Sequence, residues 1–118
     1  MRPTTFLLAI ATIAIILSGA GANTGGWQPI ENVNSEHVRE IAQFAVMAQD
    51  MSFRGSPLRL VSVVKGFHQY VAGINYKLIV SAAIIGGEGR RAKYYEAIVY
   101  ENLSHVKELV SFRPLLTV

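Results

Sequence analysis

At Arg59 the apolar period of this chain changes, and the change limits what it can fold into. Before that point, Val38, Ile41, Ala42, Ala45 and Val46 recur at spacings of three and four, with Phe44 beside them. That is the apolar stripe of one amphipathic helix. Asn34 or Ser35 offers an N-cap, Glu36 lies in the first turn, and the helix is predicted to end near Met51. Arg39, Glu40, Gln43 and Gln49 fall on its polar side. From Arg59 onward the period is two. Leu60, Ser62, Val64, Gly66 and His68 alternate with Val61, Val63, Lys65, Phe67 and Gln69. Further β-branched and aromatic runs follow at Ile74–Ile85, Tyr94–Glu101 and Val106–Leu116. Short turns join them at Val71-Ala72-Gly73, Gly86-Gly87-Glu88-Gly89 and Asn102–His105. Trp27-Gln28-Pro29-Ile30 reads as a short strand that its proline confines to an edge. The order β, α, β, β, β, β with hairpin connections predicts an α+β fold, an antiparallel sheet of four to five strands covered by one long helix.

The 118 residues suit one domain. Residues 1–22 read as a secretory signal peptide: Arg2 is the positive start, Phe6–Leu17 the apolar run, and Ala20-Gly21-Ala22 the small-residue cleavage site. The run is shorter than the roughly 20 apolar residues of a membrane span, so no membrane association is expected after cleavage. The domain then spans residues 23–118. The chain has no cysteine, which removes disulfides, thiol nucleophiles and thiolate metal sites and leaves one hydrophobic core to stabilise the fold. The formal net charge of +3 provides no clustered basic face for nucleic acid, and Arg90-Arg91-Ala92-Lys93 reads as a solvated turn.

The sequence carries no catalytic constellation. Asp50 is the sole aspartate, there is no Gly-x-Ser-x-Gly elbow, and the glycine-rich turn at 86–89 precedes a strand rather than a helix. His37, His68 and His105 fall in three separate elements without ligand spacing, which argues against a metal site. No cofactor and no enzymatic activity are expected. Gln69-Tyr70-Val71-Ala72-Gly73 is different. It is an uncharged stretch, ending in glycine, at the tip between two long strands, where a binding loop should be. Asn102-Leu103-Ser104 is a glycosylation sequon.

Three motifs in order give the chain a resemblance to the plant cystatins. Gly25-Gly26-Trp27-Gln28-Pro29-Ile30 is similar to the family's N-terminal Gly-Gly-Trp-x-Pro-Ile. Ile41-Ala42-Gln43-Phe44-Ala45-Val46 resembles the plant helix signature Leu-Ala-Arg-Phe-Ala-Val, and Gln69–Gly73 matches Gln-x-Val-x-Gly. Tyr95–Tyr100, Lys107-Glu108-Leu109 and Phe112-Arg113-Pro114 look like the last two strands. The resemblance implies a cystatin fold and a secreted or vacuolar plant defence protein, monomeric, whose partners are papain-like cysteine proteases. It implies reversible, competitive inhibition by a three-part wedge: Gly25 and Gly26, then Gln69, Tyr70, Val71, Ala72 and Gly73, then a second loop with Leu103 and Ser104. The family usually carries Pro-Trp on that second loop. This chain has Asn102-Leu103-Ser104-His105, about one residue shorter, with a sequon on the same loop. The loss of an aromatic anchor keeps an alternative open, a non-inhibitory secreted binding or storage protein on the same scaffold.

Overall fold

A computed structural model describes residues 26–52, 57–86 and 91–116. The predicted signal peptide at 1–22, Gly25 and the part of the predicted turn at residues 87–89 lie outside the described residues. Five strands and one helix are present: β1 (Gln28–Pro29), α1 (Glu36–Ser52), β2 (Leu58–Val71), β3 (Gly73–Ile84), β4 (Lys93–Glu101) and β5 (Lys107–Leu115). The strands pair in chain order, each antiparallel to the next, in one five-stranded sheet. The predicted α+β architecture is the observed one, and Pro29 sits in the edge strand.

Between the two N-cap candidates the structure selects Ser35. Its hydroxyl oxygen accepts from the Val38 N–H at 3.3 Å, which satisfies one of the unpaired donors of the first helical turn. Asn32 shapes the approach, its Oδ1 accepting from the Asn34 N–H at 3.0 Å. The predicted stripe is the buried one. Val38, Ile41, Ala42, Ala45 and Val46 pack on Leu60, Val63, Tyr76, Leu78, Val80, Ala97 and Val99, with Phe44 against the margin. Each fully buried Ile, Leu or Val contributes about 1.5–3 kcal/mol of transfer free energy. Asp50 has a structural role: its Oδ1 accepts from the Leu58 N–H at 3.0 Å and so ties the end of α1 to the start of β2.

The strict alternation expected in β2 does not hold. The register steps from Leu60↔Ala82 to Ser62↔Ser81, and again from Val63↔Val80 to Lys65↔Ile79. Val61 and Val64 are therefore extra residues opposite a shorter β3 segment. Each bulge shifts the phase by one, so the buried positions are Leu60, Val63 and Gly66, three apart, while Val61 and Val64 face solvent. A third step, between Ile98↔Ser111 and Val99↔Leu109, leaves Val110 outside. Bulges bend and twist a strand, which suits a sheet that curves over a helix. At Gly66 the N-terminal strip crosses β2. A Cβ there would lie 2.8 Å from Leu78 Cδ2 and 3.1 Å from Ile30 Cδ1, and the Ile30 N–H donates to the Gly66 carbonyl at 2.9 Å.

Candidate functional site

Strand register brings three segments to one end of the sheet. Gln28 pairs with His68 in antiparallel sense, so the strip before it, Gly26-Trp27, runs toward the β2–β3 tip. Ile74 at the start of β3 pairs with Glu101 at the end of β4, and Glu101 pairs with Lys107 across the second loop. Gly26 is exposed, and Trp27 is half-buried with the Lys77 ammonium 4.7 Å from its ring centroid. That cation–π contact fixes the base of the strip on β3.

The first tip is a two-stranded hairpin carried to its last residues, with Val71↔Gly73 as the closing pair and Ala72 at the apex. Tyr70 is 62% exposed, and Val71 and Ala72 also face solvent. Gln69 is half-buried, its Oε1 accepting from Asn75 Nδ2 at 3.1 Å across the strands. The His68 and Tyr70 rings meet edge-on at 4.9 Å. Gly73 is buried and has φ 116°, a left-handed conformation that side chains disfavour. A Cβ on Gly73 would lie 2.5 Å from the Glu101 carbonyl oxygen and 2.9 Å from the Tyr100 hydroxyl. Only glycine lets the loop pack this closely against β4. The Tyr100 hydroxyl donates to the Ala72 carbonyl oxygen and holds the apex from below. Tyr100 closes the Tyr95–Tyr100 segment that resembles a family strand, but nothing in that resemblance ties it to the first loop. What signal it gave was an aromatic residue on the face of β4 opposite the core residues Ala97 and Val99.

The second loop is organised by Asn102. Its Oδ1 accepts from the Ser104 N–H at 2.8 Å and the Val106 N–H at 3.0 Å. Backbone bonds from Asn102 to Val106 and from His105 to Asn102 close the turn. Leu103 is 79% exposed, and Ser104 is exposed beside it. His105 has φ 65°, the one positive φ outside glycine among the described residues.

Behind both loops lies a buried acid. Glu101 is only 4% exposed. Its Oε1 sits 2.9 Å from His37 Nε2 on α1, and the Tyr76 hydroxyl approaches the same oxygen at 3.5 Å. His105 Nδ1 lies 3.4 Å from Oε2, an ion-pair approach and not an aligned hydrogen bond, for Oε2 has no hydrogen-bond donor. The structure thus joins His37 and His105, which the sequence reading kept apart. Burial pushes the Glu101 carboxyl up. The hydrogen bond and charge of His37, with His105 and Lys107, outweigh it and hold the group below the usual glutamate value. A lowered folded value means the carboxylate stabilises the fold fully above the ordinary glutamate range. That stabilisation is lost as pH falls through the lowered value. Burial first, then the Glu101 charge and hydrogen bond, pushes the Tyr76 phenol up to about 12, so it stays a donor at neutral pH.

Among the described residues no group of three His, Asp or Glu side chains forms a metal site, and no described helix is long and apolar enough to cross a membrane. A concavity of about 340 Å³ lined by Arg59, Ala83, Ile84, Ile85 and Gly86 lies at the opposite end of the sheet. It belongs to neither loop.

A five-stranded antiparallel sheet folded over a single helix, with two hairpin loops and an N-terminal strip at one end, defines a cystatin fold. A crystal structure of a salivary cystatin from the soft tick Ornithodoros moubata superposes with a TM-score of 0.65 at 23% identity, covering 77% of this chain and 97% of that one. In sequence, a protein named cysteine proteinase inhibitor 1 from Actinidia chinensis var. chinensis is 42% identical over 93 residues, 75% of this chain and 73% of its own length. Cysteine proteinase inhibitor 5 from Arabidopsis thaliana is 38% identical over 113 residues, 92% and 89% of the two chains. Residues 30–115 match the model of a family described as aspartic acid proteinase inhibitor. The chain belongs to the plant cystatins, a family of protease inhibitors.

Proposed function

We propose that this chain is a reversible, competitive inhibitor of papain-like cysteine proteases. The observation that carries this reading is the Gln69–Gly73 tip, an uncharged apex fixed from below by Tyr100 and Gly73. A papain-like cleft has a thiolate–imidazolium pair at its base. A loop without charge enters it with no ion to strand unpaired, which would be costly. Tyr70 and Val71 supply exposed apolar contact. The apex carbonyl of Ala72 already accepts from Tyr100 and is held by its own fold. A reversible block requires that the loop fill the cleft without presenting the thiolate a carbonyl in near-attack geometry. Gly25 and Gly26 lie along the cleft beside it, anchored through Trp27. Leu103 and Ser104 make the third, weaker contact.

Residues 1–22 direct the chain to the secretory pathway, outside the cell or to a vacuole, where it acts as a monomer in plant defence. A glycan on Asn102 Nδ2 is compatible with the turn, since Oδ1 makes the loop's hydrogen bonds. The glycan would stand at the rim of the protease contact.

The test is titration of residues 23–118 against papain, with a pepsin-like aspartic protease in parallel because the matched family carries that description. Stoichiometric loss of papain activity is expected. Unchanged peptide hydrolysis by papain sinks the reading, and inhibition of the aspartic protease alone redirects it.

A further inference from the structure

The loop end also holds a row of charges that blocking a cleft does not require. It runs Glu40–His37–Glu101–His105. His37, in the first turn of α1, has a carboxylate at each ring nitrogen. Nε2 is 2.9 Å from Glu101 Oε1, and Nδ1 is 3.4 Å from Glu40 Oε1. A neutral imidazole has one N–H, so it serves one carboxylate and turns a lone pair toward the other; an imidazolium serves both. Glu101 repeats the pattern, with its second oxygen facing His105 Nδ1 at 3.4 Å. Burial of that carboxylate makes the missing donor expensive, because an unpaired buried oxygen keeps its full desolvation penalty.

His105 is on the second loop, in a left-handed conformation that needs outside support. The backbone of Glu101 is the wall against which Gly73 packs. One residue therefore touches both loops and the start of α1. The other groups facing it are Tyr76 from β3 and Lys107 from β5. His68, opposite Tyr76 across β2–β3, adds a buried Nδ1 without a hydrogen-bond partner to the same region.

We propose that Glu101 is the positioning residue of the second loop, and that protonation of His37 and His105 closes this row and tightens the wedge in mild acid. The proposal rests on the inhibitory role stated above and adds its regulation: the wedge suits a protease working in an acidic compartment. The gain comes with protonation of the two imidazoles, which lets His37 donate to both of its carboxylates at once. It disappears at lower pH, where Glu101 itself takes up a proton and the row loses its central charge.

The test compares the wild type with Glu101→Gln, His37→Gln and His105→Asn, asparagine being tolerated at positive φ. Dissociation constants are measured on papain with a blocked thiol, so the protease contributes the same pH dependence to every pair. Between about pH 7.5 and 5.5 the advantage of wild type over each variant is expected to grow by about threefold or more. An advantage that stays constant overturns the proposal. Hydrogen exchange of the Ser104 and Val106 amides, both bonded to Asn102, provides a second readout on the free protein. Their protection factors rise toward acid in the wild type and not in Glu101→Gln. If the wild type binds papain at neither pH, the inhibitory role fails, and amide protection alone decides whether the row positions the loop.

Discussion

The two hairpin loops at the candidate site are built on different principles. The first is a continuation of the sheet: ladder pairing persists to Val71↔Gly73, the glycine backbone packs on β4, and Tyr100 holds the apex. The second is a short turn held by the Asn102 side chain and two backbone hydrogen bonds, with its apolar tip Leu103 standing in solvent. A surface ordered before binding loses little freedom on association, while a loosely tied loop gives back much of what its contacts gain. The first loop should therefore dominate affinity, and the second should act as a trim adjusted by its neighbours His105 and Glu101.

That contrast can be broken at three points. Gly73→Glu forces a side chain into positive φ and onto the Glu101 carbonyl, and papain binding should weaken by about a hundredfold or more. Binding within a few-fold of wild type would show that the first loop does not dominate. Tyr100→Phe removes the hydroxyl under the apex and leaves the ring. One hydrogen bond of about 0.5–1.5 kcal/mol predicts a rise of about two- to thirteenfold in the inhibition constant. No change would mean that sheet pairing alone holds the loop. Leu103→Ala trims the exposed tip of the second loop and should raise the inhibition constant by no more than about fivefold, as for a peripheral contact. An effect matching that of Gly73→Glu would reverse the ranking of the loops.

Much of the fold was legible because its elements follow local rules. The spacing of Val38, Ile41, Ala45 and Val46 named the buried face of α1, and Pro29 named the edge. The first loop was legible too, since Gln69–Gly73 carries its own chemistry. Less legible was β2, where the apolar residues are present but their faces are set by bulges at Val61 and Val64. A run of valines does not show where an extra residue is inserted, because that depends on the curvature the helix imposes. The support of the site was hidden as well. Tyr100, Asn75 and Glu101 meet the loops only across strands, at sequence separations of 6 for Asn75–Gln69 and 28 for Tyr100–Ala72.

The sequence by itself determined the element order, the helix stripe and the uncharged glycine-ended tip, since periodicity and residue type act within a few neighbours. Tertiary structure alone decided the phase of β2, the wall that makes Gly73 obligatory, and the meeting of His37 and His105 on one buried carboxylate. Each of those depends on register between distant strands, and register is fixed only when the sheet closes over the helix and the whole core selects one alignment.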